Sequence, residues 1–194
     1  GTVLLRTPYS QRYCNRRNYG EIKGQSLQNA GGSLLEIMKK WGFVEVLAWI
    51  VMAAAFGAAA YGMKILPDQI AVHYDINGQI DKYGSPASLF ILPAIMLFCL
   101  ALVSFVARFV KPQHWNMPFE VREANSDRVY GDIRLMMYLI ELESSVFTLW
   151  SVIREYGQNM NGMGIAVAVY MAAMAVTIAL LCIKAKADNN SEEI

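Results

Sequence analysis

The sequence predicts an all-α integral membrane protein. It would have four transmembrane helices, both termini in the cytoplasm, and a short β-hairpin-like loop outside, between helices one and two. Three observations predict it: apolar runs of spanning length, an uneven distribution of Lys and Arg between them, and one polar, turn-rich stretch inside an otherwise apolar chain. Apolar residues make up 55% of the 194 residues and charged residues 17%, with mean hydropathy +0.29. A soluble domain carries about 25% charge. The net charge of +1 provides no field that would recruit nucleic acid.

Crossing a bilayer core as a helix takes about 20 apolar residues. Gly42–Met63 reaches that length with one charge, Glu45, near its start. Ser88–Val110 reaches it with Arg108 at its end, where a long side chain can snorkel. Leu135–Ile153 is the least apolar run, since Glu141 and Glu143 lie inside it. Gly164–Ile183 has no charge at all. A water-soluble globule of this length would have to hide three or four such runs.

Orientation follows from the basic residues of the short connections. Arg6, Arg12, Arg16, Arg17, Lys23, Lys39 and Lys40 precede the first run. Arg108, Lys111, Arg122, Arg128 and Arg134 flank or fill the second connection, and Lys184 and Lys186 follow the last run. The first connection holds Lys64 and Lys82, and the third Arg154. Both termini and the middle connection are therefore expected inside, and loop 66–86 outside. Residues 38–184 form the expected transmembrane domain and 185–194 a polar cytoplasmic tail. Met38-Lys39-Lys40 directly before the first run predicts Met38 as initiator and 1–37 as a basic leader or disordered arm. An anionic-lipid contact is the rival use of that basic cluster. The first run is too long for a signal-peptide core, so cleavage is not expected.

Loop 66–86 reads LPDQIAVHYDINGQIDKYGSP. Asn77-Gly78 between β-favouring flanks is a hairpin signal, because both residues tolerate positive φ. Leu66-Pro67 stops the preceding helix, and Gly84-Ser85-Pro86 turns the chain into the next one. The candidate binding residues are Pro67, Asp68, His73, Asp75, Asn77, Gly78, Asp81 and Tyr83. The plainer use of Asp75 and Asn77 is to shape the turn. Asp68, His73, Asp75 and Asp81 are metal ligands by type, but their spacing fits neither an EF-hand nor a zinc site. No metal and no cofactor are expected. Cys14, Cys99 and Cys182 are widely spaced and suggest no disulfide framework.

Leu66-Pro67-Asp68-Gln69-Ile70, His73-Tyr74-Asp75, Asn77-Gly78, Asp81 and Tyr83-Gly84-Ser85 resemble the outer-loop signature of a bacterial membrane-protein family. That family is the domain of unknown function DUF1648, which also forms the front part of Sdp-type toxin-immunity proteins. The sequence departs from its pattern at Ala71, where Pro is usual, and at Pro86, where Lys is usual. Asn116-Met117-Pro118 with Asn125, Arg128 and Tyr130 is similar to the family's second connection, which extends the resemblance from Met38 to about Ile183. The resemblance implies a multi-pass protein of the bacterial inner or cytoplasmic membrane. A few members protect the producing cell from a secreted peptide toxin. That immunity branch carries a further helical domain, so an immunity role is expected only with such a domain attached.

A carboxyl near mid-membrane costs about 2.5–3.5 kcal/mol on insertion scales, so Glu141 and Glu143 are expected to face partners or a polar cavity. Two residues apart on a helix, they point about 200° apart and cannot share one spot. In the plainer case one is neutral in the interior and the other meets a neighbouring helix or water. Asp127, Arg128, Asp132 and Arg134 suit a solvated helix leading into the third span. Trp115 suits an interface anchor.

Two functions follow. In the first, a non-enzymatic membrane protein recognises a secreted peptide or envelope partner with its outer loop, in an immunity-like or sensing role. In the second, a small transporter or accessory subunit uses Glu141 and Glu143 in a polar intramembrane path. A cytoplasmic regulator docking on the middle connection is compatible with either. The chain has no Gly-Lys phosphate loop, nucleophile elbow or His-Glu-x-x-His pair, so an enzyme is not expected.

Overall fold

A computed structural model of the chain describes residues 41–75, 79–157 and 162–191. The expected leader 1–37, Met38, and the Asn77-Gly78 turn lie outside the described residues. Four helices long and apolar enough to cross a membrane are present among them. In chain order we label them α1 (Trp41–Ile65), α2 (Ile91–Phe109), α3 (Ser126–Glu155) and α4 (Met163–Asn190). Between α1 and α2 stand strands β1 (Ile70–Tyr74) and β2 (Ile80–Gly84), paired antiparallel. The expected hairpin-like loop is a true two-stranded sheet.

Each apolar run became a helix for the reason that selected it. A chain without water must satisfy its backbone internally, and a helix does so within one segment. Local signals set the joints. Ser85 caps the turn into α2 by accepting the Ala87 N–H at 3.3 Å, and Pro86 occupies the first position of the short 3-10 helix Pro86–Phe90, where no donor is needed. Pro93 follows within the first turn of α2, where it breaks no backbone bond of that helix.

α3 is central. With α1 and α2 it closes three buried clusters along the bundle. Val44, Ala107 and Tyr138 meet at one end; Ala48, Met52, Ala55 and Leu100 lie at mid-depth against Leu142 and Leu149; Ala59, Leu89 and Val152 meet at the hairpin end. Ile70, fully buried, inserts from β1 into the last of these, so the sheet is anchored in the bundle and does not merely rest on its rim. Gly62 makes this end possible. A Cβ there would stand 2.7 Å from both Leu89 and Tyr156, whose hydroxyl donates to the Ala58 carbonyl of α1.

At a rise of 1.5 Å per residue α3 is about 45 Å long, more than the hydrocarbon thickness of about 30 Å. Its first turns pair with the end of α4 away from the hairpin. Val129, Ile133 and Ala185 are buried there under Trp115, Met117, Phe119 and Val121 of the middle connection. Two amides fasten this layer. Asn189 accepts the Arg122 N–H at 2.8 Å and donates to the Glu120 carbonyl at 3.0 Å, while Asn125 donates to the carbonyls of Asn189 and Ser191. Two expectations change here. α4 continues through Lys186 to Asn190, well into the segment expected to be a tail. Asp132 and Arg134 are buried and not solvated: Asp132 pairs with Lys184 at 2.5 Å, and Arg134 lies under the Trp115 ring at 5.6 Å. The reason is that α4 continues beside the first turns of α3, bringing Lys184 to Asp132, and the middle connection folds Trp115 against Arg134.

Candidate functional site

The hairpin end collects most of the loop's chemistry. His73 faces Lys82 across the pairing, and its Nδ1 lies 2.6 Å from Asp81 Oδ1. Register shifts on either side of His73 mark a bulge that turns it toward Asp81. Asp75 shapes the turn, as its residue type predicts: its carboxylate accepts the Gln79 N–H at 2.7 Å and its own N–H donates to the Gln79 carbonyl at 2.8 Å. Val72 packs so tightly on Gly84 that a Cβ there would meet it at 3.0 Å, at the end of the sheet where Ile70 pairs with Gly84 and enters the bundle. Tyr83 is exposed opposite Ala71. Pro67 and Asp68 are exposed in the link between α1 and β1 and join no cluster.

Between the hairpin and the start of α2 lies an open groove of about 700 Å³. Val72, His73 and Lys82 form its rim, Ile91, Leu92 and Ile95 its apolar floor, and Glu155 of α3 closes one side. Ser88 Oγ, buried and without a hydrogen-bond partner, also lines it. Of the sequence candidates only His73 lies in this groove, with Asp81 behind it. Lys82, Ser88 and Glu155 were not singled out, and Glu155 comes from a helix distant in sequence.

The two intramembrane carboxyls part company. Glu143 accepts from Thr177 of α4 at 2.5 Å. Glu141, 2% exposed, faces the other way and accepts from Ser104 of α2 at 2.9 Å, and Ser104 in turn receives the Trp49 N–H of α1 at 3.3 Å. Nearer the end away from the hairpin, buried Glu45 pairs with Arg108 at 2.9 Å, so Arg108 holds an acid of α1 as it reaches toward the surface. Ser104 and Arg108 are one helical turn apart, a polar pair in an apolar run that could have marked the inward face of α2. Among the described residues no group of three or more His, Cys, Asp or Glu side chains is placed to hold a metal ion.

Four spanning helices with a hairpin docked on one end define a multi-pass membrane protein. Residues 48–97, from α1 through the hairpin into α2, match the family described as a domain of unknown function, DUF1648, the family that the loop residues resemble. The match covers the helix–hairpin–helix unit and stops short of the second connection. No curated protein and no solved structure matches the chain.

Proposed function

We propose that this is a non-enzymatic protein of the bacterial cell membrane whose outer hairpin recognises a peptide or envelope partner, in an immunity-like or sensing role. The single observation that carries it is the groove beside the hairpin. Charged and hydrogen-bonding groups (His73, Lys82, Ser88) stand over an aliphatic floor (Ile91, Leu92, Ile95), which suits an extended peptide with alternating polar and apolar side chains. The two-stranded sheet offers such a peptide an edge to pair with. The hairpin end carries Lys64, Lys82 and Arg154, and the opposite end a denser set of Lys and Arg, which favours an outward-facing hairpin and inward termini.

Two measurements test this. In a chain whose native cysteines are replaced by Ser, Ser85→Cys should react with an impermeant maleimide in intact cells. Labelling that requires broken cells reverses the orientation. Partner capture or toxin protection should be lost in both His73→Ala and Asp81→Ala while expression is unchanged. Retention of full protection in both variants removes the hairpin from recognition.

A further inference from the structure

Arg134, Tyr138, Glu141, Ser145 and Thr148 step by four, three, four and three residues along α3, which places them on one face, and Ser151 continues the line. All six are buried, none more than 4% exposed. At 1.5 Å per residue the stretch from Arg134 to Glu155, in the hairpin groove, covers about 31 Å, about one hydrocarbon thickness. Ionisable groups within a span are costly, face the bundle interior as this line does, and by default mark ion or proton pathways. Several of its groups are incompletely satisfied: Arg134 Nε and Nη1, Glu141 Oε2 and Ser151 Oγ have no hydrogen-bond partner.

We propose that this face of α3 is a proton path across the membrane, with the Glu141 carboxyl as its binding site. Glu141 has one oxygen held by Ser104 and one free, enough for a proton and far short of the six or more oxygens that a hard cation such as calcium takes. The charged groups facing it are Glu45 of α1 and Arg108 of α2, with the Tyr138 phenol on its own helix. Arg134, two turns away, faces Glu45 and joins the same network, while Lys184 of α4 is held by Asp132 of α3 and Asp188. With Glu141 ionised, the two guanidinium groups and two carboxylates balance. Taking up a proton (carboxylate plus H⁺ giving the carboxylic acid, no other bond changing) leaves one net positive charge, and release restores neutrality, so the site both loads and unloads. Toward the hairpin, Ser145 and Thr148 donate to backbone carbonyls of their own helix and turn free lone pairs inward. Residues three or four apart have Cβ atoms about 5–6 Å from each other, a spacing across which one water can link their hydroxyls. Glu143, bound to α4, is outside the path.

The full chain in phosphatidylethanolamine–phosphatidylglycerol liposomes, with an entrapped pH dye and a valinomycin-set potential, tests this. Wild type and Glu143→Gln should carry protons above the protein-free rate, and Glu141→Gln should fall to that rate. Dicyclohexylcarbodiimide, which couples to protonated carboxyls, should block wild-type flux and leave its adduct on Glu141, a result independent of how well a variant folds. Wild-type flux at the protein-free rate, undiminished flux in Glu141→Gln, or an adduct confined to other carboxyls overturns the path.

Discussion

α3 and α4 lie side by side and differ by two residues in length, 30 against 28, yet they play opposite parts. Over their spanning windows mean hydropathy is 1.3 for α3 and 2.5 for α4, and none of the α4 window is buried. Ile165, Val169, Val176 and Leu180 are exposed along α4, whereas α3 buries Tyr138, Glu141, Ser145 and Thr148. In water the apolar helix would be the core. In lipid the apolar surface faces the solvent, and association draws on close packing and hydrogen bonds. Hydropathy therefore ranks peripheral α4 well above central α3, which comes last of the four spans.

The largest effect expected from breaking this contrast is at the layer the two helices share. Lys184→Ala leaves Asp132 buried without its cation and should destabilise the protein by about 1.5–3 kcal/mol, the range for a hydrogen bond to a charged group, read from unfolding of detergent-solubilised protein by dodecyl sulfate. Slightly less is expected inside the membrane. Ser145→Leu forces a larger side chain onto the fully buried face of α3 and should cost about 1–3 kcal/mol, whereas Val169→Leu on exposed α4 should stay within about 0.5 kcal/mol. Equal effects at the two positions would erase the distinction between the helices. The smallest is the tie between them: Thr177→Val removes the Glu143 bond and should cost about 0.6 kcal/mol, the mean for interhelical hydrogen bonds in a membrane protein.

Much of this architecture is written in residue types that leave little choice. Runs such as Gly164–Ile183 specify a spanning helix by length alone, and Asp75 announces a turn that its carboxylate then makes. Partners across the bundle were not legible. Glu141 and Glu143 were seen to point apart, but that one meets Ser104 and the other Thr177 depends on which helices flank α3, and no periodicity encodes that. The groove was hidden for the same reason. His73 stood out, while Glu155 joins it only because α3 returns to the hairpin end. Asp132 and Arg134 are expected in water because a mixed-charge run usually is; Lys184, past the last apolar residue of α4, reaches Asp132, and Trp115 of the middle connection covers Arg134.

Asn125 and Asn189 have a mechanical consequence. Four bonds from these two amides join the last turn of α4 to the segment leading into α3. Sliding α4 along its axis by one turn, about 5.4 Å, would rupture all four at once. The carboxy-terminal end and the middle of the polypeptide are thus buckled together, and any piston-like stroke of α4 must drag the α2–α3 strap with it or stall.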